Sequence, residues 1–299
     1  TLAAINSTGF GLTFGIHSRI QNTADKAAAT VRAGNIYVNR NMIGAVVGVQ
    51  PFGGHGLSGT GPKAGGPSYL YRLMWDSSGK ESPEPELALP EGTVKPELPD
   101  WLQQLSRQLP DWQKLTVTER RQALQLAGVD WPEMVLPEDE SYLSALLDGP
   151  QLLPGPTGEQ NMLYYEPRGV MLCVTATAAL NRQITSALLA GNPVLHLSLR
   201  ETGAQTGSAA IPGYRFAGMA GGAALQPLLS SPGIAGVMVQ RPQELAATVD
   251  LLLRQRPGPL LRLITELCAP LLCTRLLLET VVSTNPTAAC CHSSAVTLA

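Results

Sequence analysis

The stretch NMIGAVVGVQPFGGHGLSGTGPKAGGP, which runs from Asn41 to Pro67, constrains the fold of this chain more than any other segment. It holds nine glycines, from Gly44 to Gly66, and large apolar residues such as Val47 stand between them. A flexible linker would be rich in Gly and Ser and would lack such residues. The pattern therefore predicts an ordered loop whose backbone must come close to another group.

The composition limits the classes of protein that the chain can belong to. Its 299 residues are enough for about two domains, and its 44% hydrophobic and 15% charged content favours a packed core over disorder. The net charge of -2 argues against nucleic-acid binding, which needs a basic domain with clustered Lys and Arg residues. No apolar run reaches the roughly 18 residues of a membrane span. We therefore expect a globular protein with no nucleic-acid contact and no transmembrane segment.

The first 74 residues alternate between strand and helix patterns. Gly11–Ser18 and Asn35–Arg40 read as strands, and Thr23–Ala33 as a helix with Asn22 or Thr23 at its N-cap and Gly34 after its end. Strand, helix, strand predicts a parallel crossover that leads directly into the glycine-rich loop.

A Pro- and Glu-rich segment over residues 75–100 predicts a stiff, solvated linker and the best domain boundary in the chain. Beyond it, residues 101–299 resume the alternation. Helices are predicted at Trp101–Leu109, Glu119–Ala127, Ala179–Ala190 and Gln243–Arg254, and strands at Pro167–Val174, Asn192–Leu199, Ile234–Gln240 and Pro259–Glu266. This order is typical of a doubly wound α/β sheet.

The segments AAINSTGFGLTFGIHSRI and VRAGNIYVNRNMIGAVVGVQPFGGHGLSGTGPKAGGPSYLYR together resemble the C-terminal end of an aldehyde dehydrogenase domain. The motif VGVQPFGG…LSGTGPKAGGP resembles the corresponding sequence of the glutamate-semialdehyde (pyrroline-5-carboxylate) dehydrogenases and of the bifunctional proline utilization A flavoenzymes. LLPGPTGEQN, at Leu152–Asn161, supports the second family. The resemblance implies an α/β chain: residues 1–74 end an aldehyde dehydrogenase fold, and residues 101–299 form a degenerate Rossmann-like domain.

The resemblance also implies a role for the glycine-rich loop. The backbone N–H groups of Gly44 and Ala45 would bind the α-carboxylate of glutamate semialdehyde, and Phe52 would pack on its methylene stem. Convergent amide donors suit a carboxylate on general grounds. The alternative is a glycine-rich turn that only packs against a sheet. Lys63 could contact a phosphate, although a solvated or structural lysine is the simpler interpretation.

The catalytic groups of such a dehydrogenase are expected outside this chain. The family oxidises aldehydes with a cysteine nucleophile, a glutamate base and an NAD-binding fold, and residues 1–74 contain no cysteine. The chain also begins with Thr1 in the middle of a unit, so we expect a fragment that has no activity alone. The resemblance implies NAD and FAD for the parent enzyme and no catalytic, cofactor-binding or metal-binding residue here.

The second part resembles the opening of an NAD-binding domain that has lost its cofactor contacts. TATAAL and HLSLR stand where active relatives carry a Pro-Trp-Asn segment and a cofactor-holding lysine. The hypothesis is a non-catalytic lid or oligomerisation module. A free-standing NAD-binding protein is the third possibility, and NAD titration would test it.

Several cysteines and histidines could suggest other sites. Cys173 is expected to be a buried inert thiol, and His196 a structural histidine. The spacing of Cys268, Cys273, Cys290, Cys291 and His292 does not match zinc-site layouts. His55 is expected to be exposed, with a pH-sensitive effect on the loop as the alternative.

The expected partners follow from the resemblance. They are glutamate semialdehyde, the upstream domains of the same polypeptide and a second copy in a homodimer. The odd set of cysteines fits reduced thiols in the cytoplasm, and the parent protein could associate with the inner membrane face. The sequence leaves open whether a DNA-binding segment precedes the chain.

Overall fold

The computed structural model describes residues 1–59, 61–74, 98–129, 137–175, 180–198, 211–219, 222–239, 243–267 and 269–286. The first part, residues 1–74, begins with helix α1 (Leu2–Ser7) and short strand β1 (Phe10–Gly11). The predicted crossover follows as β2 (Thr13–Ile16), α2 (Gln21–Thr30) and β3 (Asn35–Val38). Strands β2 and β3 are parallel, as the sequence predicts. Strand β4 (His55–Gly56) pairs with β1 inside the glycine-rich region.

The second part, residues 98–286, contains seven helices and eight strands among its described residues. The helices are α3 (Leu98–Lys114), α4 (Val117–Leu126), α5 (Pro137–Leu147), α6 (Arg182–Leu189), α7 (Gly222–Leu229), α8 (Gln243–Arg254) and α9 (Leu271–Arg275). The strands are β5 (Gln151–Leu153), β6 (Gln160–Pro167), β7 (Met171–Thr175), β8 (Val194–Ser198), β9 (Tyr214–Met219), β10 (Gly236–Val239), β11 (Arg262–Ile264) and β12 (Leu277–Thr284). Among the described helices, none has the length and apolar character needed to cross a bilayer.

Five parallel strands form the doubly wound sheet that the sequence predicts. Their order is β11-β10-β7-β8-β9, so the chain starts in the middle and builds outward in both directions. Alternate residues of each strand face opposite sides: Met171 and Cys173 join one apolar core, and Leu172 and Val174 join the other. Burial on both faces explains why these strands read as continuous apolar runs.

A second sheet joins the two parts of the chain. Its order is β2-β3-β12-β6-β5. Strand β12 lies parallel to β3 on one side and antiparallel to β6 on the other. The backbone N–H of Val281 donates to Gly34 O at 2.9 Å, and that of Asn285 donates to Val38 O at 2.9 Å. Strand β3 of the first part therefore obtains a backbone partner from the second part.

Strand β12 also buries side chains on both of its faces. Leu277 and Val281 belong to the large core of the second part, whereas Val282 packs against the small core of Ile36 and Val38. No strand is predicted from the sequence over Leu277–Thr284, so this sheet partner of β3 was missed.

Element boundaries differ from the prediction where tertiary contacts outweigh local signals. Helix α2 begins at Gln21 after Ile20 and ends before Val31, so the caps at Asn22 or Thr23 and at Gly34 are wrong. Helix α3 continues through Pro110 to Lys114, because Trp112 is buried and its indole N–H donates to Leu188 O at 2.9 Å. Gly191 follows α6 with φ +91°, the left-handed conformation that commonly ends a helix.

Of the predicted linker, residues 75–100, the structure describes only residues 98–100. Its last three residues form the beginning of α3. The three-segment division of the chain stays a prediction.

The core between β6 and β12 can be tested with Leu163, which pairs with Val281 and is fully buried. We expect Leu163→Ala to lower the free energy of unfolding by about 2–5 kcal/mol, because the change removes buried methyl groups and leaves a cavity. Urea denaturation followed by circular dichroism measures it. The control is Leu126→Ala, since Leu126 is 90% exposed on α4, and its effect should stay within about 0.5 kcal/mol. Equal, small losses would contradict this packing.

Candidate functional site

The glycine loop, residues 41–66, follows β3 and divides into a tip (residues 41–48) and a base (residues 49–66). Every residue of the tip is exposed, and Ile43 and Val47 are 81% and 82% exposed. The apolar residues of the tip are therefore on the surface. The tip is still ordered, because Gly48 N donates to Gly65 O at 2.9 Å and Val46 N donates to Gln50 Oε1 at 3.0 Å.

Gly44 and Ala45 lie side by side in the middle of the tip. Gly44 has φ +74°, in the left-handed region that favours glycine, and no atom lies within 4 Å of the position that a Cβ would occupy. Within the described part of the chain, neither backbone N–H donates a hydrogen bond. Two adjacent amide donors are thus open to solvent.

The base of the loop approaches β3 closely enough to require glycine. A Cβ on Gly34 would lie 1.9 Å from Gly53 O. The Asn35 side chain closes this contact, because its Nδ2 donates to Pro51 O at 2.8 Å and its Oδ1 accepts from Gly53 N at 3.1 Å. This is the close backbone approach that the glycine pattern predicted, and it lies beside the strand.

Phe52 lies in the base rather than in the tip. Its backbone forms an isolated antiparallel bridge with Ala64, through Phe52 N to Ala64 O at 2.9 Å and Ala64 N to Phe52 O at 2.8 Å. The residue is 36% exposed, so its ring retains accessible surface. The role of Phe52 in packing on a substrate stays a prediction.

Lys63 is a structural lysine. It is 2% exposed, and its ammonium donates to Asn35 Oδ1 at 3.1 Å and to Gly53 O. Burial lowers the pKa of Lys63 to about 7, and the Glu279 carboxylate partly offsets this effect. Its donors already serve the protein, which argues against a contact with phosphate.

Glu279 on β12 ties the base of the loop to the second part. Its Oε2 accepts from Lys63 N at 2.8 Å, and its backbone carbonyl accepts from His55 Nε2 at 2.9 Å. Glu279 is 8% exposed, and its Oε1 has no hydrogen-bond partner among the described residues.

His55 is therefore half-buried at this junction, and the expectation of an exposed histidine is wrong. Burial lowers the pKa of His55 to about 4; the hydrogen bond to Glu279 raises it in part, and the Lys63 and Arg168 charges lower it. The imidazole is neutral at physiological pH, with its Nε2–H donating to Glu279.

Glu159 makes a second contact between the parts, which the sequence prediction missed. Its Oε1 accepts from Gln50 Nε2 in the loop, and its Oε2 lies 3.3 Å from Arg40 Nε. The segment LLPGPTGEQN carried a signal of resemblance, but nothing in it showed that Glu159 reaches the loop. The contact depends on the pairing of β6 with β12.

The isolated histidine and cysteine of the parallel sheet have structural roles. His196 is fully buried; its Nε2 lies 2.6 Å from Thr175 Oγ1 and its Nδ1 lies 2.8 Å from Tyr214 OH. Cys173 is fully buried, and burial raises the pKa of its thiol to about 12. Both predictions are confirmed.

The residues considered for zinc lie mostly outside the described ranges. Cys268, Cys290, Cys291 and His292 are among the residues that the structure does not describe, and Cys273 is buried. Within the described ranges, no group of three His, Cys, Asp or Glu residues could hold a metal ion. The expectation of no metal site stays a prediction.

Comparison with known proteins links this arrangement to a family. Residues 1–75 match the aldehyde dehydrogenase family. The chain is 36% identical over 261 residues, 86% of its length, to the bifunctional protein PutA of Rhizobium meliloti, of which it covers 18%. It is 49% identical over 69 residues, 23% of its length, to the 1-pyrroline-5-carboxylate dehydrogenase of Bacillus thuringiensis, of which it covers 13%.

A solved structure shows the same fold over almost the whole chain. Proline utilization A from Corynebacterium freiburgense matches 95% of this chain and 24% of its own length, with a TM-score of 0.52 and 22% identity. The chain spans 12% to 18% of the length of the curated PutA proteins that it matches. The similarity therefore covers both parts of the chain but a small part of those proteins.

The buried state of His55 has a measurable consequence for stability. The folded protein keeps the imidazole neutral down to about pH 4, whereas the unfolded chain protonates it below about 6.5. The unfolded state therefore binds more protons between these values, and stability falls as the pH drops through them. We expect acidification from about pH 7 to 4.5 to cost the wild type about 1–2 kcal/mol more than it costs His55→Gln.

Urea denaturation at several pH values measures this difference, and His17→Gln is the matched control because His17 is exposed. The pH dependence of the control should follow the wild type. A His55→Gln curve parallel to the wild-type curve would show that His55 titrates normally.

Proposed function

We propose that this chain, a relative of the PutA proteins, is a segment of an NAD-dependent dehydrogenase that oxidises glutamate semialdehyde to glutamate. The similarity of its first part to a 1-pyrroline-5-carboxylate dehydrogenase supports this substrate class, because the semialdehyde is the open-chain form of pyrroline-5-carboxylate. The observation that carries the proposal is the pair of open amides at Gly44 and Ala45.

In this proposal the tip of the glycine loop binds the α-carboxylate of the substrate. A carboxylate gains about 1.5–3 kcal/mol from each charge-assisted hydrogen bond. Adjacent amides in a turn present such donors without side chains in the way, and a residue in the left-handed conformation, as Gly44 is, is common in anion-binding turns. Phe52 would supply the apolar contact for the methylene stem.

The chemistry itself would come from residues outside this chain. A cysteine thiolate would add to the aldehyde carbon to form a thiohemiacetal, and NAD would supply the hydride acceptor that converts it to a thioester. A glutamate base would activate the water that hydrolyses the thioester to the carboxylate and frees the thiol. FAD would serve the proline dehydrogenase of the same parent. The chain's contribution is to hold the carboxylate end of the substrate, which orients the aldehyde for attack.

The proposal assigns no NAD site to the second part, and the start of α6 supports this. In a doubly wound fold the cofactor phosphates meet the N-terminus of the helix after the first strand, which here is α6. Asn181 caps that helix, and its Oδ1 accepts from Ile184 N at 3.0 Å. A phosphate there would compete with a cap that the protein supplies itself.

A second function is favoured by the shared sheet. Strand β12 covers the edge of β3, which would otherwise leave backbone groups unpaired, and β6 pairs with the other edge of β12. The second part would then be a non-catalytic module that completes and covers the dehydrogenase part. The two functions are compatible, because one concerns the loop and the other concerns the sheet.

The anchor predicts the effect of Ala45→Pro, which removes one amide donor. In a polypeptide that contains this chain and the catalytic residues, we expect KM for glutamate semialdehyde to rise about 10- to 100-fold, as the loss of one charge-assisted hydrogen bond requires. The kcat should change little if the bond forms equally in the substrate complex and the transition state. Steady-state NADH production measures both constants.

The control for this variant is Ile43→Ala, which alters an exposed side chain of the tip and keeps both donors. Its KM should stay close to the wild-type value. If Ala45→Pro leaves KM unchanged, the Ala45 amide does not contact the substrate.

The purified 299-residue chain should produce no NADH from NAD and glutamate semialdehyde, because the proposal assigns the nucleophile to another segment. A polypeptide extended through the catalytic cysteine is the positive control. Turnover by the chain alone would contradict this assignment.

A further inference from the structure

We propose that Glu159 is a positioning residue for the tip of the glycine loop and acts through Gln50. The inference rests on the proposed function in one respect, since the tip is taken as the carboxylate anchor. It adds a residue from the second part, 109 positions along the chain from Gln50, to the machinery of that site.

Glu159 lies at the end of the connection from β5 to β6, where neighbouring side chains hold its carboxylate in place. Its side chain is 13% exposed, and three donors converge on the carboxylate. Gln50 Nε2 and Asn161 Nδ2, the latter at 3.0 Å, donate to Oε1, while Arg40 Nε lies 3.3 Å from Oε2. Asn161 is held in turn by β12, because Ser283 Oγ donates to Asn161 Oδ1 at 2.6 Å. The shared sheet therefore fixes the position of Glu159.

The carboxylate determines which way the Gln50 amide points. An ionised carboxylate can only accept hydrogen bonds, so the Gln50 NH2 group must face Glu159 and its carbonyl oxygen must face away. That oxygen accepts from Val46 N at 3.0 Å. Gln50 is 3% exposed, so water offers its amide little alternative. Without Glu159, only the Val46 N–H would select this orientation, and the buried NH2 group of Gln50 would lose its acceptor.

Val46 directly follows the two open amides. Gly44 has no neighbour near its Cβ position, so the described structure holds this stretch mainly through the residues on either side. On the C-terminal side these contacts include Val46 N to Gln50 Oε1 and Gly48 N to Gly65 O, and Val46 O also accepts from Val49 N and Gln50 N. Glu159 therefore orders the backbone beside the donors without needing to touch a ligand.

Arg40 makes this arrangement compatible with an anionic ligand. An unpaired carboxylate behind the loop would repel a second carboxylate at its tip. The Arg40–Glu159 ion pair offsets that charge, and the Arg40 guanidinium also lies 5.3 Å from the centre of the Tyr37 ring. Glu159 can thus act as a structural acceptor while the site stays favourable for an anion.

The test uses residue-resolved amide hydrogen exchange on the 299-residue chain. We expect Glu159→Ala to accelerate exchange at Val46 at least about ten-fold, because Gln50 can then turn away from it. Exchange at Val281, in the middle of β12, should stay within about two-fold of wild type. Glu159→Gln should remain near wild type at Val46, since its amide oxygen can still accept from Gln50.

Gln50→Leu should reproduce the Glu159→Ala effect, and the double variant should add nothing, because both residues act through one path. Glu138→Ala, an exposed acid of α5, is the control and should change neither amide. Unchanged exchange at Val46 in Glu159→Ala would overturn the inference. Equal acceleration at Val46 and Val281 would also overturn it, since Glu159 would then support the whole sheet.

An L-glutamate titration followed by NMR separates this inference from the proposed function. Binding by the wild type should shift the Gly44 and Ala45 amides, and Glu159→Ala should weaken that binding at least about three-fold. Equal affinity in the two proteins would overturn the role of Glu159 while the anchor stands. If glutamate leaves both amides of the wild type unshifted, the anchor fails. Selective acceleration at Val46 would then still support the positioning of the loop by Glu159.

Discussion

Strand β12 forms backbone hydrogen bonds along both of its edges, and the association of the two parts depends on this strand. Strand β3 cannot remain an open edge beside an exposed loop without leaving peptide groups unpaired. Strand β12 satisfies those groups on one side, and β6 satisfies β12 on the other. Because its faces pack on different cores, the same eight residues connect backbone pairing to apolar burial.

The polar contacts across this junction follow from the same pairing. Glu279 on β12 accepts hydrogen bonds from the backbone N–H of Lys63 and from the ring of His55. Glu159, beside β6, accepts from the Gln50 side chain and forms an ion pair with Arg40. The Lys63 and Gln50 contacts join the glycine loop to the second part through an acidic side chain. His55 instead donates to the backbone carbonyl of Glu279, and Arg40 directly precedes the loop. The base of the loop is consequently fixed while the tip stays open, which is the arrangement that an anion-binding loop requires: rigid support and accessible donors.

Some of this organisation could be predicted and some could not. Four of the five parallel strands were recognisable because burial on both faces makes them continuous apolar runs, whereas β9 was not predicted. Helix α8 was predicted with the observed limits. Strand β12 was missed because its polar residues, such as Glu279 and Ser283, are buried by partners distant in sequence. His55 was misjudged for the same reason. The local sequence around His55 carries no information about the distant backbone carbonyl that accepts a hydrogen bond from its ring.

The sequence by itself determined the α/β class, the alternation of elements and the presence of an ordered glycine loop, because periodicity and glycine placement are local properties of the chain. It also determined that this loop needs a close backbone approach, which the contact of Gly34 with Gly53 satisfies. Only the tertiary structure decided which strands share a sheet and which acids reach the loop. Strand pairing between residues 246 positions apart depends on long-range packing and hydrogen-bond satisfaction, and no local segment specifies it.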